Sequence, residues 1–171
     1  MEYKFKSILE KFQRNKVWSF HFKIPESIAL EILKNTKRVI CTINHETTYQ
    51  CGLLSAGELG YFINVNAIIR KKAGLSLHDD AQLSIRSDSS KYGLPVPEVF
   101  QEFLKQDVVF ERYFHSLPKG KQRSLIHKIG TYKSEHKQLE KTMIIRDYLI
   151  QVEGNLDFKE LQEAFKKNRY N

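Results

Sequence analysis

Cysteine is scarce in this chain of 171 residues, which contains only Cys41 and Cys51. Because the two do not form a CxxC pair, they can build neither a disulfide framework nor a zinc site of four cysteines. They could face each other across a hairpin that turns near Glu46. We predict instead two buried thiols, the usual state of cysteine in a reducing cytoplasm.

Long apolar runs are absent as well. No stretch reaches the roughly 18 apolar residues that a membrane-spanning helix needs. The first residues, MEYKFKSILEKF, lack the charged segment followed by an apolar core that marks a signal peptide. We therefore expect a cytoplasmic protein that does not insert into membranes.

The short motifs of common enzyme families are also missing. The chain has no GxSxG, P-loop or GxGxxG, and PKGKQR lacks the earlier glycine of a phosphate loop. No HExxH or zinc-finger spacing relates the histidines His21, His45, His115, His127 and His136. We predict no catalytic residue, no metal and no cofactor, although an enzyme with a catalytic set assembled from distant residues stays an alternative.

The first half of the chain alternates apolar and polar residues, which is typical of half-buried strands. In VWSFHFKI, for example, Trp18, Phe20, Phe22 and Ile24 share one face. Further strands are predicted in EYKFKSI, RVICTI, TTYQCGLL, GYFINV and AQLSIRS, with QRNK as the first turn. Short helices are predicted from Pro25 and in NAIIRKKAG. Five or six short strands with small helices indicate a closed β-barrel.

A change of period marks a domain boundary. In KYGLPVP, Gly93, Pro95 and Pro97 interrupt regular structure, and beyond them apolar residues recur every 3.6 positions. The predicted fold class is therefore α+β. A small closed barrel of about six strands occupies residues 1–94, and an all-helical domain occupies residues 95–171.

Helix starts in the second half are predicted at Pro97, Pro118 and Ser134, and Asp157 with Glu160 forms a capping-box-like pair for a last helix. The residues predicted to face the core of this half include Val99, Phe103, Val109, Phe114, Leu125, Ile129, Leu139, Met143, Leu149, Phe158 and Leu161.

The stretch LSLHDDAQLSIRSD, residues 75–88, places His78 beside Asp79 and Asp80. Side chains of consecutive residues alternate in direction in an extended segment, so these three cannot all reach one metal ion. We predict a turn in which an aspartate accepts hydrogen bonds from nearby backbone N–H groups before the last strand begins.

The net charge of +8, spread over both halves, favours an anionic partner without identifying it. Two basic clusters are candidate sites, one in IIRKKAG and one in LPKGKQRSLIHKIGTYK. The second surrounds a predicted helix start, whose free N–H groups also favour anions. An ordinary solvated face is the alternative interpretation of both. The candidate anion-binding residues are Arg70, Lys71 and Lys72 in the first cluster and Lys119, Lys121, Arg123 and Lys128 in the second.

Two features of nucleic-acid-binding proteins have simpler interpretations here. GELG, residues 57–60, has the glycine spacing of a KH-type clamp, but it joins predicted strands and is interpreted as a hairpin turn. Trp18, Phe20 and Phe22 could stack bases on an exposed sheet. Their strict alternation with polar residues predicts the barrel core instead.

The order of these features resembles two known families. The runs WSFHFKIPESIALEIL, RVICTINHETTYQCGLL and GYFINVNAIIRKKAGLSLHDDAQLSIRSD are similar to a small bacterial and archaeal β-barrel domain of unknown function, related in fold to the double-split barrels of AbrB transcription regulators. The segment from LPVPEVFQEFLKQ to VEGNLD resembles the helical YdeI/OmpD-associated family, also called bacteriocin-protection proteins. Neither family supplies catalytic residues that could be carried over.

The chain departs from the family pattern at three places. It has Asn44-His45 where relatives often have Asn-Gly, and Asp79-Asp80 where they often have Gly-Asp. Arginines common in the last long helix are replaced by Leu139 and Lys141, which argues against a ligand site formed by those arginines.

The sequence thus favours a non-enzymatic cytoplasmic binding protein with a basic surface. Its partner is anionic and unknown: an acidic protein, a nucleic acid or a small anion. The resemblance implies a setting of bacteriocin protection or stress. Two alternatives remain, namely nucleic-acid binding by analogy with AbrB-like barrels, and a small-ligand receptor or enzyme with a pocket between its domains.

Overall fold

A closed β-barrel forms the first of the two units into which the chain divides, Met1–Gly93 and Leu94–Asn171. The computed structural model describes residues 1–12, 20–55, 57 and 60–167. All neighbouring strands are antiparallel, in the order β1-β2-β5-β4-β3-β6, and β6 pairs with β1 to close the ring. The strands are β1 (Glu2–Lys11), β2 (Phe20–Ile24), β3 (Arg38–Ile43), β4 (Thr47–Ser55), β5 (Tyr61–Asn64) and β6 (Asp80–Ser87).

The barrel interior is filled by alternate residues of each strand, as the period of two predicts. Phe22, Ile63 and Ile85 are fully buried there. Two short helices, α1 (Glu26–Leu33) and α2 (Ala67–Lys72), interrupt the strands. The predicted barrel with small helices is confirmed, whereas the predicted turn QRNK and Trp18 lie outside the described residues.

The segment after β6 is held against the barrel by polar contacts. The Asp88 carboxylate accepts hydrogen bonds from the Gln50 side chain and from the Ser90 N–H, both at 2.9 Å. The Ser90 hydroxyl accepts from the Gly93 N–H, and the Arg38 guanidinium donates to the Gly93 carbonyl. These contacts fix the chain up to the last residue of the first unit.

From residue 94 to residue 167, the described part of the second unit, the regular structure is helical. The helices are α3 (Glu98–Gln106), α4 (Val108–Ser116), α5 (Lys119–Gly130), α6 (Glu135–Gln151) and α7 (Phe158–Lys167). Pro97, Pro118 and Ser134 occupy the cap positions directly before α3, α5 and α6. The three predicted helix starts are therefore confirmed, one residue later than predicted for the two prolines.

The core of the second unit confirms part of the predicted set. Leu125 and Ile129 are fully buried, and so are Phe100 and Phe114. The rings of these two phenylalanines pack edge to face with their centroids 5.2 Å apart. Four predicted core residues are exposed instead: Val109 (43%), Leu139 (39%), Met143 (49%) and Phe158 (44%). Leu139 and Met143 are exposed because the buried face of α6 is rotated relative to the predicted one. The fully buried residues of that helix are Thr142, Ile145 and Leu149.

The last helix begins almost as the capping pair predicts. The Asp157 carboxylate accepts from the N–H groups of Lys159 (2.7 Å) and Glu160 (3.2 Å). The Glu160 carboxylate does not return to the cap residue but accepts from the Tyr148 hydroxyl at 2.9 Å. The same hydroxyl accepts from the Asp157 N–H at 3.2 Å, so a tyrosine of α6 completes the cap.

Candidate functional site

The outward side of four adjacent strands carries a row of polar residues. Strand pairing aligns Lys4 of β1 with Ser84 of β6, Ser84 with Thr42 of β3, and Thr42 with Thr48 of β4. At a strand spacing of about 4.8 Å the row is about 14 Å long. Lys6, two residues from Lys4, lies beside Gln82 in the next outward row. We name this surface the polar sheet face and define it by Lys4, Lys6, Thr42, Thr48, Gln82 and Ser84.

A depression of about 230 Å³ lies on this face, bordered by both lysines and by His45 of the β3–β4 turn. His45 Nε2 lies 3.0 Å from the Gln82 side-chain oxygen, and the Thr42 and Thr48 hydroxyls lie 2.9 Å apart. No carboxylate among the described residues forms an ion pair with Lys4 or Lys6. The arrangement offers two ammonium groups and several neutral hydrogen-bonding groups to an anion.

One carboxylate competes for the polar sheet face. The Ser84 hydroxyl donates a hydrogen bond to Glu2, which precedes Lys4 by two residues on the same side of β1. The Ser84 hydroxyl therefore already donates its hydrogen bond to Glu2, and the Glu2 carboxylate lowers the local positive charge. An anion bound at this face has to compete with it.

The first predicted basic cluster lies at α2. The Arg70 guanidinium stacks on the Phe20 ring, with 3.6 Å between its central carbon and the ring centroid, and its Nε is buried without a hydrogen-bond partner among the described residues. The Lys11 ammonium lies 5.7 Å from the same ring. Arg70 is thus held by Phe20, while Lys71 and Lys72 are exposed.

The second predicted cluster lies on α5, and two of its members are held by contacts within the unit. The Lys121 ammonium donates to the Leu156 carbonyl at 2.7 Å, and the Lys128 ammonium lies 5.9 Å from the Phe165 ring centroid. Lys119 is exposed and Arg123 is half-buried. Anion binding by the seven predicted residues stays a prediction, with fewer side chains available to a partner than the sequence indicates.

The His78 stretch is a turn, as predicted. The Asp79 carboxylate accepts from the Ser76 N–H at 2.7 Å, and Asp80 begins β6. His78 is exposed and has a φ of +72°, in the left-handed region. Asn44 and His45 also have positive φ, so His45 adopts a left-handed conformation at the position where the family pattern has a glycine, whereas near Asp79 the positive φ falls on His78. Among the residues that the structure describes, no three His, Cys, Asp or Glu side chains are grouped closely enough to hold a metal.

Both cysteines are free thiols inside the barrel wall. Cys41 is fully buried and Cys51 is partly buried, and both contact the Tyr49 side chain. Burial raises the pKa of the Cys41 thiol to about 12 and also raises that of Cys51. The prediction of two buried thiols is confirmed for Cys41 and in part for Cys51, and neither has the character of a nucleophile.

The two nucleic-acid features are only partly within the described residues. Phe22 is fully buried, and Phe20 packs against the barrel core beneath Arg70, so the predicted core role is confirmed for both. In GELG, the Gly60 N–H donates to the Gly57 carbonyl at 2.9 Å, while residues 58 and 59 lie outside the described part of the chain.

The polar sheet face is absent from the sequence-based candidates. Each of its residues sits at an ordinary outward position of an alternating strand, and each strand contributes only one or two of them. The signal that the sequence offered for this face was the alternation of Lys4 and Lys6 with the apolar residues of β1. Pairing between strands distant in sequence is what brings the set together.

The fold and these surfaces define a two-domain α+β protein, a six-stranded barrel followed by a helical domain. Residues 5–85 match the family model of a domain of unknown function, DUF1905. Residues 94–143 match the family described as "Bacteriocin-protection, YdeI or OmpD-Associated". Both domain resemblances are thereby confirmed, while the likeness to AbrB double-split barrels stays a prediction. Comparison with curated proteins and with solved structures found no match.

Membrane crossing by a helix finds no support in the structure. Within the described ranges, none of the helices combines the length and the apolar character that a bilayer span requires.

Proposed function

We propose that this protein is a non-enzymatic binding protein whose barrel engages an anionic partner through the polar sheet face. The observation that carries the proposal is the alignment of Lys4 with Thr42 and Thr48 across four strands, beside Lys6 and the depression at His45. Carboxylate and phosphate oxygens accept hydrogen bonds from ammonium, hydroxyl and amide groups, which are the groups present here.

The lysines are the central element of this proposal. Both are exposed, and they project from the same side of β1, about 7 Å apart along the strand. Two cations at this separation can neutralise neighbouring charges of an extended anionic chain. In contrast, Arg70, Lys121 and Lys128 of the two sequence-predicted clusters already contact groups of this protein.

The effect of salt on binding affinity distinguishes the possible classes of anionic partner. Binding of a nucleic acid weakens steeply as salt is added, with a slope of about 0.9 per neutralised phosphate for duplex DNA and about 0.7 for single strands. Labelled single- and double-stranded oligonucleotides, polyglutamate and inorganic phosphate represent the three kinds of anion. Fluorescence anisotropy and calorimetry over a salt series then measure affinity and slope for each.

Matched variants locate the site. The double variant K4Q/K6Q removes two charges from the polar sheet face, whereas K71Q/K72Q and K119Q/R123Q remove two charges from each predicted cluster. We expect K4Q/K6Q alone to weaken binding about five- to tenfold, the effect of losing two exposed ion pairs. E2Q removes the competing carboxylate and should strengthen binding.

Three results would contradict the proposal. Equal losses in all three double variants would indicate attraction by net charge only. A loss confined to K71Q/K72Q or K119Q/R123Q would move the site to that cluster. If none of these anions bound even at low salt, anion binding by this protein would be ruled out.

The biological setting is part of the same proposal. The family described as bacteriocin-protection matches residues 94–143, which supports a role in protection from bacteriocins or in stress. The cytoplasmic location expected from the sequence is retained. A bacterial host that expresses this chain should survive bacteriocin better than a host without it.

A further inference from the structure

A groove of about 810 Å³ runs between α3 and α6, within the second unit. Its apolar part is made by Val99 and Phe103 of α3 and by Leu139 and Met143 of α6. Leu139 and Met143 are 39% and 49% exposed, and their spacing of four residues places them on one side of the helix. Four apolar side chains thus lie together at the surface, although the helical period predicts that they face the core.

The rim of this groove is acidic. Five carboxylates line it against a single guanidinium, that of Arg146. Arg146 is itself ion-paired with Asp107 and Asp147, each at 2.7 Å, so its charge is already balanced. The other three carboxylates are Glu98, Glu102 and Glu135, of which only Glu102 is ion-paired among the described residues, with Lys105 at 2.6 Å. A protein with a net charge of +8 therefore has a local negative surface here.

We propose that this groove binds a basic amphipathic helix of a partner protein. Apolar side chains on one face of such a helix would contact Phe103, Leu139 and Met143, as in other helix-in-groove complexes. Lysine or arginine residues beside that face would meet Glu98 and Glu135. The charge of the rim selects a cationic helix and repels an acidic one. This site is separate from the polar sheet face, which attracts the opposite charge.

The shape of the groove favours a helix over a compact ligand. Its lining follows α3 from Glu98 to Gln106 and α6 from Glu135 to Asp147, a length of about 18 Å along α6 at 1.5 Å per residue. That length accommodates about three helical turns of a partner, enough for anchors spaced three and four residues apart.

The test uses the full chain and synthetic peptides of 18 residues. One peptide places leucine on a single helical face and lysine elsewhere, a second replaces lysine by glutamate, and a third has the lysine peptide's composition in scrambled order. Calorimetry and amide chemical shifts measure binding and its location. We expect the leucine–lysine peptide to bind and to shift amides of α3 and α6, and the other two to bind at least about tenfold more weakly.

Two pairs of variants test the two halves of the recognition. L139A/M143A removes apolar contacts, and its control is L30A/I68A, which truncates two exposed aliphatic residues elsewhere. E98Q/E135Q removes rim charge, and its control is E46Q/E153Q, which neutralises two exposed carboxylates outside the groove. Each groove variant should weaken binding about tenfold, a loss of about 1.4 kcal/mol, and E98Q/E135Q should also flatten the salt dependence. The controls should bind as the parent does.

Several outcomes would overturn this proposal: no binding of the leucine–lysine peptide, equal binding of the leucine–glutamate peptide, or equal losses in groove variants and controls. Amide shifts confined to the barrel would do the same. Circular dichroism of each variant establishes that it is folded. A groove variant that fails to fold is replaced by L139Q/M143Q, which keeps the side-chain length and removes the apolar surface.

Discussion

Asp107 Oδ2 lies 2.7 Å from Nε of Arg146, so the residue that caps α4 is also ion-paired with α6. The other carboxylate oxygen, Oδ1, accepts a hydrogen bond from the Phe110 N–H at 2.9 Å. These contacts, first the hydrogen bond from Phe110 and then that from Arg146, lower the pKa of Asp107 below its usual 3.8. One side chain therefore supports two helices of the second unit.

Replacing Asp107 should separate its two roles. D107A removes the cap and the ion pair and should destabilise the protein by about 1–2 kcal/mol. D107N keeps an N-cap side chain and should lose less. Because the folded pKa is lowered, the contribution of Asp107 is present above pH 3.8 and disappears as pH falls further. Urea unfolding at pH 7 and pH 3 measures both effects. Equal losses in D107A and D107N would refute the capping role.

His78 should be replaceable with a gain in stability. Its φ of +72° is a conformation that glycine adopts without strain, so H78G should stabilise the fold by up to about 1 kcal/mol. H78A should leave stability and metal content nearly unchanged, since alanine is as restricted there as histidine. Thermal unfolding and elemental analysis test this. Chelatable metal that is lost with the His78 side chain would overturn the description of this stretch as a turn.

A charge inside the barrel should destroy it. Leu83 and Ile85 are 1% and 0% exposed, and an aspartate at either position would be buried without a partner, at a cost of several kcal/mol. L83D and I85D should therefore lose the near-ultraviolet circular dichroism of the barrel. Q82D is the matched control, because Gln82 is exposed on the same strand. A stable L83D variant would be incompatible with the inward direction of Leu83.

Stability should fall as His21 becomes protonated. His21 is 4% exposed, and its ring stacks on Phe12 with ring centroids 3.8 Å apart. Burial lowers its pKa below 6.5, and this outweighs the raising effect of Glu10, whose carboxylate lies 3.5 Å away.

The sign of this pH effect follows from proton binding. Below pH 6.5 the unfolded chain binds a proton at His21 more readily than the folded chain, so stability declines as pH falls until the folded pKa is passed. H21Q should make this decline smaller in urea unfolding between pH 7.5 and pH 5. H127Q, at an exposed histidine, should behave as the parent does. An unchanged pH profile in H21Q would exclude His21 as the source.

The thiols should be unreactive in the folded protein. Because burial raises the pKa of Cys41 to about 12 and also raises that of Cys51, little thiolate is present at pH 8. Iodoacetamide should label neither residue in the native state and both in urea, as measured by mass spectrometry. Rapid native labelling of Cys41 would show that the barrel opens.

Local sequence patterns predicted the elements of this fold because they act over short distances. Alternation in EYKFKSI and AQLSIRS gives β1 and β6, and Pro97, Pro118 and Ser134 mark three helix starts. The pattern was less decisive in α6. Leu139 and Met143 satisfy a helical period as well as Ile145 and Leu149 do, and only packing against the other helices decides which stripe is buried.

The candidate site depended on information that the linear sequence does not carry. Lys4 and Thr42 become neighbours through Ser84, which is 80 residues after the lysine, and only the strand register specifies that arrangement. The clusters that were visible locally, such as Arg70 and Lys121, include cations that bind aromatic rings or carbonyl groups of the same chain.

Closure of the barrel limits how any partner can recognise it. Because β6 pairs with β1, every strand that the structure describes has a neighbour on each side, although β1 meets β2 only at Leu9–Lys11 and β4 meets β5 only at Leu53–Ser55. Along the stretches that are paired on both sides, a partner cannot add a strand by main-chain hydrogen bonding. A partner there contacts outward-facing side chains whose spacing is set by the backbone of the barrel. Single substitutions of these side chains can therefore change which partner is bound without altering the strands that carry them.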